Sequence, residues 1–142
     1  MVDVKKIYSE EEYISPYSGE YDELYDYTPM INAFGKVVIR VDDYDYQGDT
    51  RVLYHDDYNR IGHLVFGWGS CSGCDALQGC ESIEEVQELC DELENSIKWF
   101  DSQEEALEWF ENHDWEGDYY WYDRGESRKY VKMAIIYLKG EN

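Results

Sequence analysis

Positive charge is scarce in this chain: 12 Lys and Arg stand against 33 Asp and Glu, for a formal net charge of -21. That balance excludes direct binding to nucleic acid or to an anionic membrane, both of which are held by clusters of Lys and Arg. It also makes the folded chain repel itself, so the fold tolerates its charge and does not derive from it. Long hydrophobic runs are missing too. No stretch approaches the ~18 apolar residues of a membrane span, and the opening MVDVKKIYSEEEY lacks the apolar run of a signal peptide. The chain is therefore expected in a reducing cytoplasm, where disulfides are rare.

Histidine is limited to His55, His63 and His113, and none sits in a motif such as His-Glu-x-x-His. There is no Gly-x-Ser-x-Gly and no phosphate loop, so no enzyme is expected. Paired carboxylates abound, but among 33 acids close pairs arise by chance and spacing does not identify a glycosidase pair. The stretches DDYDY and HDDY could hold calcium or magnesium through oxygen ligands. They lack the EF-hand pattern, and a solvated sheet edge guarded by charge is the better reading.

What is present is aromatic: 15 Tyr and 5 Trp beside 4 Phe. Such a content rules against disorder, and rings with a polar tip suit half-buried surfaces and interfaces. At 142 residues the chain fits one domain, 1–142, in which the acidic, Tyr-rich segment 1–32 could be peripheral. Tyr17, Tyr21, Leu24 and Tyr25 recur there at helical spacing between Pro16 and Pro29, which predicts a short helix.

Residues 36–68 read as antiparallel sheet. KVVIRV is β-branched, Gln47-Gly48-Asp49 separates two alternating runs as a hairpin signal, and HLVFGW follows the turn DDYNRIG. Three strands with one covered face would suffice for a stable sheet. Ser82 with Glu85, and Ser102 with Glu105, match the Ser-x-x-Glu capping box. Behind the first cap Ile83, Val86, Leu89, Cys90, Leu93 and Ile97 form a helical stripe; behind the second Ala106, Leu107, Trp109 and Phe110 do. SIKWFDS between them predicts a short strand or extended link. The tail ESRKYVKMAIIYLK favours helix, with Tyr130, Val131, Ala134, Ile135 and Leu138 on one face. The expected class is α+β: a small antiparallel sheet of three to four strands packed against two or three C-terminal helices.

Cys71 and Cys74 have the knuckle spacing of structural zinc sites, which Cys80 and Cys90 would have to complete. The second knuckle is missing, and Cys90 lies on the apolar stripe, where a thiol behaves as a small hydrophobe. His63 could stand in for Cys90. A redox pair would need nearby positive charge, and the turn offers none. A glycine-rich turn with small thiols is the preferred reading over zinc.

GSCSGCDALQGC followed by a helix, WFDSQEEALEWF and HDWEGDYYWY resembles a group of small uncharacterised proteins of tailed bacteriophages. They share a Ser-Cys-Ser-Gly-Cys-Asp turn and a later acidic, aromatic tail. The resemblance covers Gly67 to Leu138, does not include Cys80 and Cys90 in the shared turn, and implies a host-cell context without a mechanism.

From Asp75 to Asp118 there are sixteen Asp or Glu and one basic residue, Lys98. Helical carboxylates three or four positions apart lie ~5–6 Å from each other, so Glu84, Glu85, Glu88, Asp91 and Glu92, with Glu104, Glu105, Glu108 and Glu111, could together approximate a row of phosphates. Asp22, Glu23, Asp26, Asp42, Asp43, Asp45, Asp56 and Asp57 are further candidates, interleaved with Tyr. The charge exceeds the magnitude of ~2–8 that solubility needs in a small domain. The leading expectation is a non-enzymatic inhibitor that mimics nucleic acid and occupies the basic channel of a CRISPR effector or restriction enzyme. The alternative is a zinc-supported adaptor that binds through its aromatic C-terminal segment. A third class is a small-molecule pocket lined by Trp68, Trp99, Trp109 and Trp121.

Overall fold

The computed structural model describes residues 1–8, 27–43, 48–69, 76–77, 79–117 and 125–140. Four strands, β1 (Val37–Asp42), β2 (Gly48–His55), β3 (Ile61–Trp68) and β4 (Lys98–Phe100), form one antiparallel sheet in sequence order. Among the described residues four α-helices accompany it: α1 (Thr28–Phe34), α2 (Ile83–Ser96), α3 (Gln103–Asn112) and α4 (Gly125–Leu138). The class is α+β with C-terminal helices, and SIKWFDS does carry a short strand. The tail is helical from Gly125 to Leu138. Among the described residues no helix is long and apolar enough to cross a membrane.

Both faces of the sheet are covered, where one was expected. Side chains alternate across a strand, and β2 sends Val52 and Tyr54 one way and Leu53 the other. Val52, Tyr54, Leu64 and Phe66 pack with Met30 and Ile31 of α1 and with Val86, Cys90 and Leu93 of α2. On the opposite face Leu53, Ile39, Val41 and Ile61 meet Ala106 and Phe110 of α3 and Tyr130, Ala134 and Leu138 of α4. Six consecutive residues of β2, Asp49 to Tyr54, are buried as a result.

The described parts of segment 1–32 are not peripheral. Val4, Tyr8, Tyr27, Met30 and Ile31 all belong to the first core. A single 3-10 turn, Val4–Lys6, lies on α2, where the Val4 amide donates to Gln87 Oε1 (3.1 Å) and Gln87 Nε2 donates to the Val2 carbonyl (2.7 Å). The helix expected over residues 17–25 lies outside the described residues. Pro29 does not end a segment but starts α1, where a missing amide hydrogen costs nothing.

Gly48 and Asp49 are strand residues paired with Trp68 and Gly67, not the centre of a turn. Asp43 and Asp49 close the hairpin instead: the Asp43 amide donates to the Asp49 carbonyl (3.0 Å) and the Asp49 amide to Asp43 Oδ2 (2.9 Å). Gly48 is required by closeness, since a Cβ there would stand 2.5 Å from that of Asp43.

Most tyrosines among the described residues are structural. Tyr54 donates to the Ile31 carbonyl (2.7 Å) and joins α1 to the sheet. Tyr130 donates to the Val52 carbonyl (3.1 Å) and lies 2.7 Å from His63 Nδ1. The single hydroxyl hydrogen serves the carbonyl, so His63 Nδ1 carries the hydrogen of the second bond. Burial pushes both phenols up from their ordinary pKa.

Trp99 of β4 lies across Gly62, its cross-strand partner, and a Cβ on Gly62 would meet the indole at 2.8 Å. Gly62→Ala is expected to lower stability by about 1–3 kcal/mol through overpacking, read as a reduced urea midpoint. An unchanged midpoint would contradict this seating of the indole.

Candidate functional site

The helices that carry the acids are set by their caps. Ser82 Oγ accepts from the Glu85 amide (3.2 Å) and Ser102 Oγ from the Glu105 amide (3.1 Å). The reciprocal bonds reach one residue further back than the motif implies: Glu85 accepts from the Glu81 amide, and Glu105 from the Asp101 amide (3.3 Å). Glu85 and Glu105 are therefore cap residues as well as surface charges. Beyond the caps, the apolar stripes turn Val86, Cys90 and Leu93 inward on α2, and Ala106 and Phe110 on α3. Glu84, Glu88 and Glu92 of α2, and Glu104, Glu108 and Glu111 of α3, are left exposed.

The two rows do not merge into one line of phosphate-like charge, because α2 and α3 cover opposite faces of the sheet. Each outer layer presents its own row. Asp91 stands at the margin of the first, accepting from Gln87 Nε2 (2.9 Å).

The remaining candidates divide by role. Asp43 is buried at 3% exposure and takes the guanidinium of Arg51, also 3% exposed, at 3.0 Å. Arg51 Nη2 reaches Ser127 Oγ of α4 at 2.8 Å and lies 3.7 Å from Asp49 Oδ2. Asp43 is thus a structural ion-pair partner and is withdrawn from any partner surface. Asp42 accepts from Thr50 Oγ1 and from Arg40 Nε (3.1 Å), while Arg40 Nη1 donates to Thr28 Oγ1 of α1 (2.6 Å). Asp56 builds the β2–β3 turn, accepting from the amides of Tyr58 (3.0 Å) and Arg60 (2.8 Å) and from Arg60 Nε (2.7 Å). Asp57 beside it is exposed. Asp22, Glu23, Asp26 and Asp45 lie outside the described residues.

The four-cysteine cage loses a member. Cys90 is 0% exposed in the first core. Burial, with Glu94 and Asp91 nearby, pushes its thiol up to about 11, the opposite of what a thiolate ligand needs. Cys80 donates to the Ala76 carbonyl (3.2 Å), and Cys71 and Cys74 lie outside the described residues. His63 does not replace Cys90: it sits on the other face, bonded to Tyr130 and ringed by Trp109, Phe110 and Trp115. Among the described residues no group of three His, Cys, Asp or Glu is placed to hold a metal ion.

The aromatic readings change as well. Of the aromatic C-terminal segment expected as an adaptor surface, Trp115 is folded inward, its indole donating to the Phe110 carbonyl (2.9 Å), while residues 118–124 lie outside the described residues. Trp121 lies outside the described residues; Trp68 and Trp99 pack against the first core and Trp109 against the second, so these three do not line one pocket. A groove of about 390 Å³ beside β3, between His63, Val65, Leu93 and Lys98, contains none of them.

One surface escaped sequence reasoning. The exposed residues of α4 are Arg128, Lys129, Lys132, Met133 and Ile136, followed by Lys139, with no carboxylate among them. The signal for it lies in the sequence of the tail, where the positions between the apolar ones carry Arg128, Lys129 and Lys132.

No known protein family, no curated protein and no solved structure matches the chain.

Two outcomes follow. Arg51→Gln removes the counter-charge that buried Asp43 and Asp49 share and is expected to cost about 3–5 kcal/mol, whereas Glu88→Gln should stay within about 0.5 kcal/mol; urea unfolding of both variants checks the contrast. At Asp56, partial burial opposes ionisation, but the Arg60 amide and guanidinium and the Tyr58 amide outweigh it and lower the pKa. A folded pKa below the unfolded one means that the turn's support is present above the usual ~3.9 and is lost as pH falls through the folded value. Amide signals of Tyr58 and Arg60 should move together in that acid range; independence of the two would contradict the shared carboxylate.

Proposed function

We propose that this protein is a non-enzymatic polyanion surrogate that occupies the basic nucleic-acid channel of a host defence protein, a CRISPR effector or a restriction enzyme. The observation that carries this reading is where the outward carboxylates stand. Glu84, Glu88 and Glu92 repeat at i,i+4, as do Glu104 and Glu108, and like charges at that spacing destabilise a helix by about 0.2–0.5 kcal/mol per pair. Neither α2 nor α3 has a basic residue in its last turn; Glu111 stands in that of α3 against the helix dipole, whereas Glu94 in that of α2 accepts from the Val2 amide (3.2 Å) and faces the N-terminal ammonium (4.0 Å). A surface optimised for folding would place Lys or Arg at these positions.

Among the described residues the acid is also unevenly distributed. It covers α2 and α3 and avoids the exposed side of α4, which supports a laid-out charge over one spread evenly for hydration. With a row on each outer layer, the surrogate engages walls on both sides of a channel and does not lie along one strip. Negative charge steers such an encounter and governs its rate more than its final affinity.

The test is capture from a bacterial lysate followed by binding to the purified captured protein. The expected partner is a nucleic-acid-binding protein whose affinity falls on the order of tenfold or more between low and physiological salt and which releases this chain when duplex DNA is added. Binding that is indifferent to salt, or that persists on a DNA-loaded partner, would contradict the proposal.

A further inference from the structure

The turn between β2 and β3 is built more firmly than its exposure requires. Asp56 takes three hydrogen bonds within it, and Asn59 holds a left-handed backbone at φ 64. Asn59 Oδ1, an acceptor only, lies 2.7 Å from His55 Nε2, which therefore carries the hydrogen; in neutral His55 the Tyr137 hydroxyl then donates to Nδ1 at 2.5 Å. The Arg60 guanidinium lies over Trp99, 4.9 Å from the ring centroid. At the tip of this braced turn Tyr58 is 84% exposed, while Tyr8, Tyr27, Tyr54 and Tyr130 are buried and Tyr137 is half-buried. Its neighbour Asp57 is exposed and enters no hydrogen bond or ion pair among the described residues, in contrast to Asp56.

We infer that Asp57 and Tyr58 form an anchor for an arginine side chain of the basic partner. The inference rests on the polyanion reading and adds a residue-level contact to it. A guanidinium is planar and can stack on a ring while pairing with a carboxylate, which a lysine ammonium does less well. Single-stranded nucleic acid offers the same two groups, an unstacked base and its phosphate, to arginines in a binding channel. The Tyr58 ring stands for the base and the Asp57 carboxylate for the phosphate. A tyrosine on a rigid turn gives up little conformational freedom on binding, which suits it as an anchor.

The probes are the peptides nona-arginine and nona-lysine, titrated into the isotope-labelled full chain at physiological salt and followed by NMR. Nona-arginine is expected to shift the amides of residues 57–59 and the Tyr58 ring, and to bind more tightly than nona-lysine. Tyr58→Ala should weaken nona-arginine by about threefold to fivefold, Tyr58→Phe should retain binding, and Asp57→Asn should weaken it. Shifts confined to the outer faces of α2 and α3, with Tyr58→Ala indistinguishable from the parent, would overturn the anchor and leave the polyanion reading standing. Equal affinity for the two peptides would overturn it as well. No binding of either peptide would overturn both.

Discussion

The fold depends on burying β2 from both sides. A strand with Leu53 facing one way and Val52 and Tyr54 the other cannot leave either face in water, so each face must gain a helical layer. α1 and α2 supply one, α3 and α4 the other. Once both layers are in place, the polar stripes of the helices point away from the sheet in opposite directions. The distribution of charge over the molecule is therefore a consequence of how its core is divided.

The carboxylates sort into groups with different physics. Asp43 is inside, where its pair with Arg51 ties the β1–β2 hairpin to Ser127 at the start of α4. Losing Arg51 there would strand two buried carboxylates, Asp43 and Asp49. Asp56, Glu85 and Glu105 fold their own turns and caps. Glu84 and Glu104 stand in the first turns, where the helix dipole favours them; Glu88, Glu92, Glu108 and Glu111 have no such duty, and they repel their like-charged helical neighbours. A protein retains features that lower its stability when function needs them.

Much of the fold was legible because local chemistry and burial agreed. The apolar stripe and the Ser-x-x-Glu caps placed α2 and α3, although Ile97, expected on the stripe, lies beyond Ser96 as an extended cap; β-branched residues placed β1. The reading failed where a polar residue was taken for a surface one. Asp49 and Arg51 alternate with Thr50 and Val52 as though one face of β2 were wet, but the ion pair lets both faces go inside, and no local pattern shows that partner in advance. Gly48 looked like a turn for the same reason that it serves a strand, the absence of a side chain. The candidate acids on the helices were identifiable from spacing, but their partition onto opposite layers was not, since it depends on which face of the sheet each helix covers. Tyr58 stood out from the other tyrosines only once their burial was known.

The central claim is that the outward carboxylates burden the fold and are kept for a partner. Urea unfolding of the combined Glu88→Gln, Glu92→Gln, Glu108→Gln and Glu111→Gln variant, compared with the parent at low and at high salt, tests it most directly. The account predicts a variant more stable than the parent at low salt, with the difference closing as salt screens the repulsion. A variant equally or less stable at low salt would show that these charges hold the structure together, and the case for a recognition surface would fall with that result.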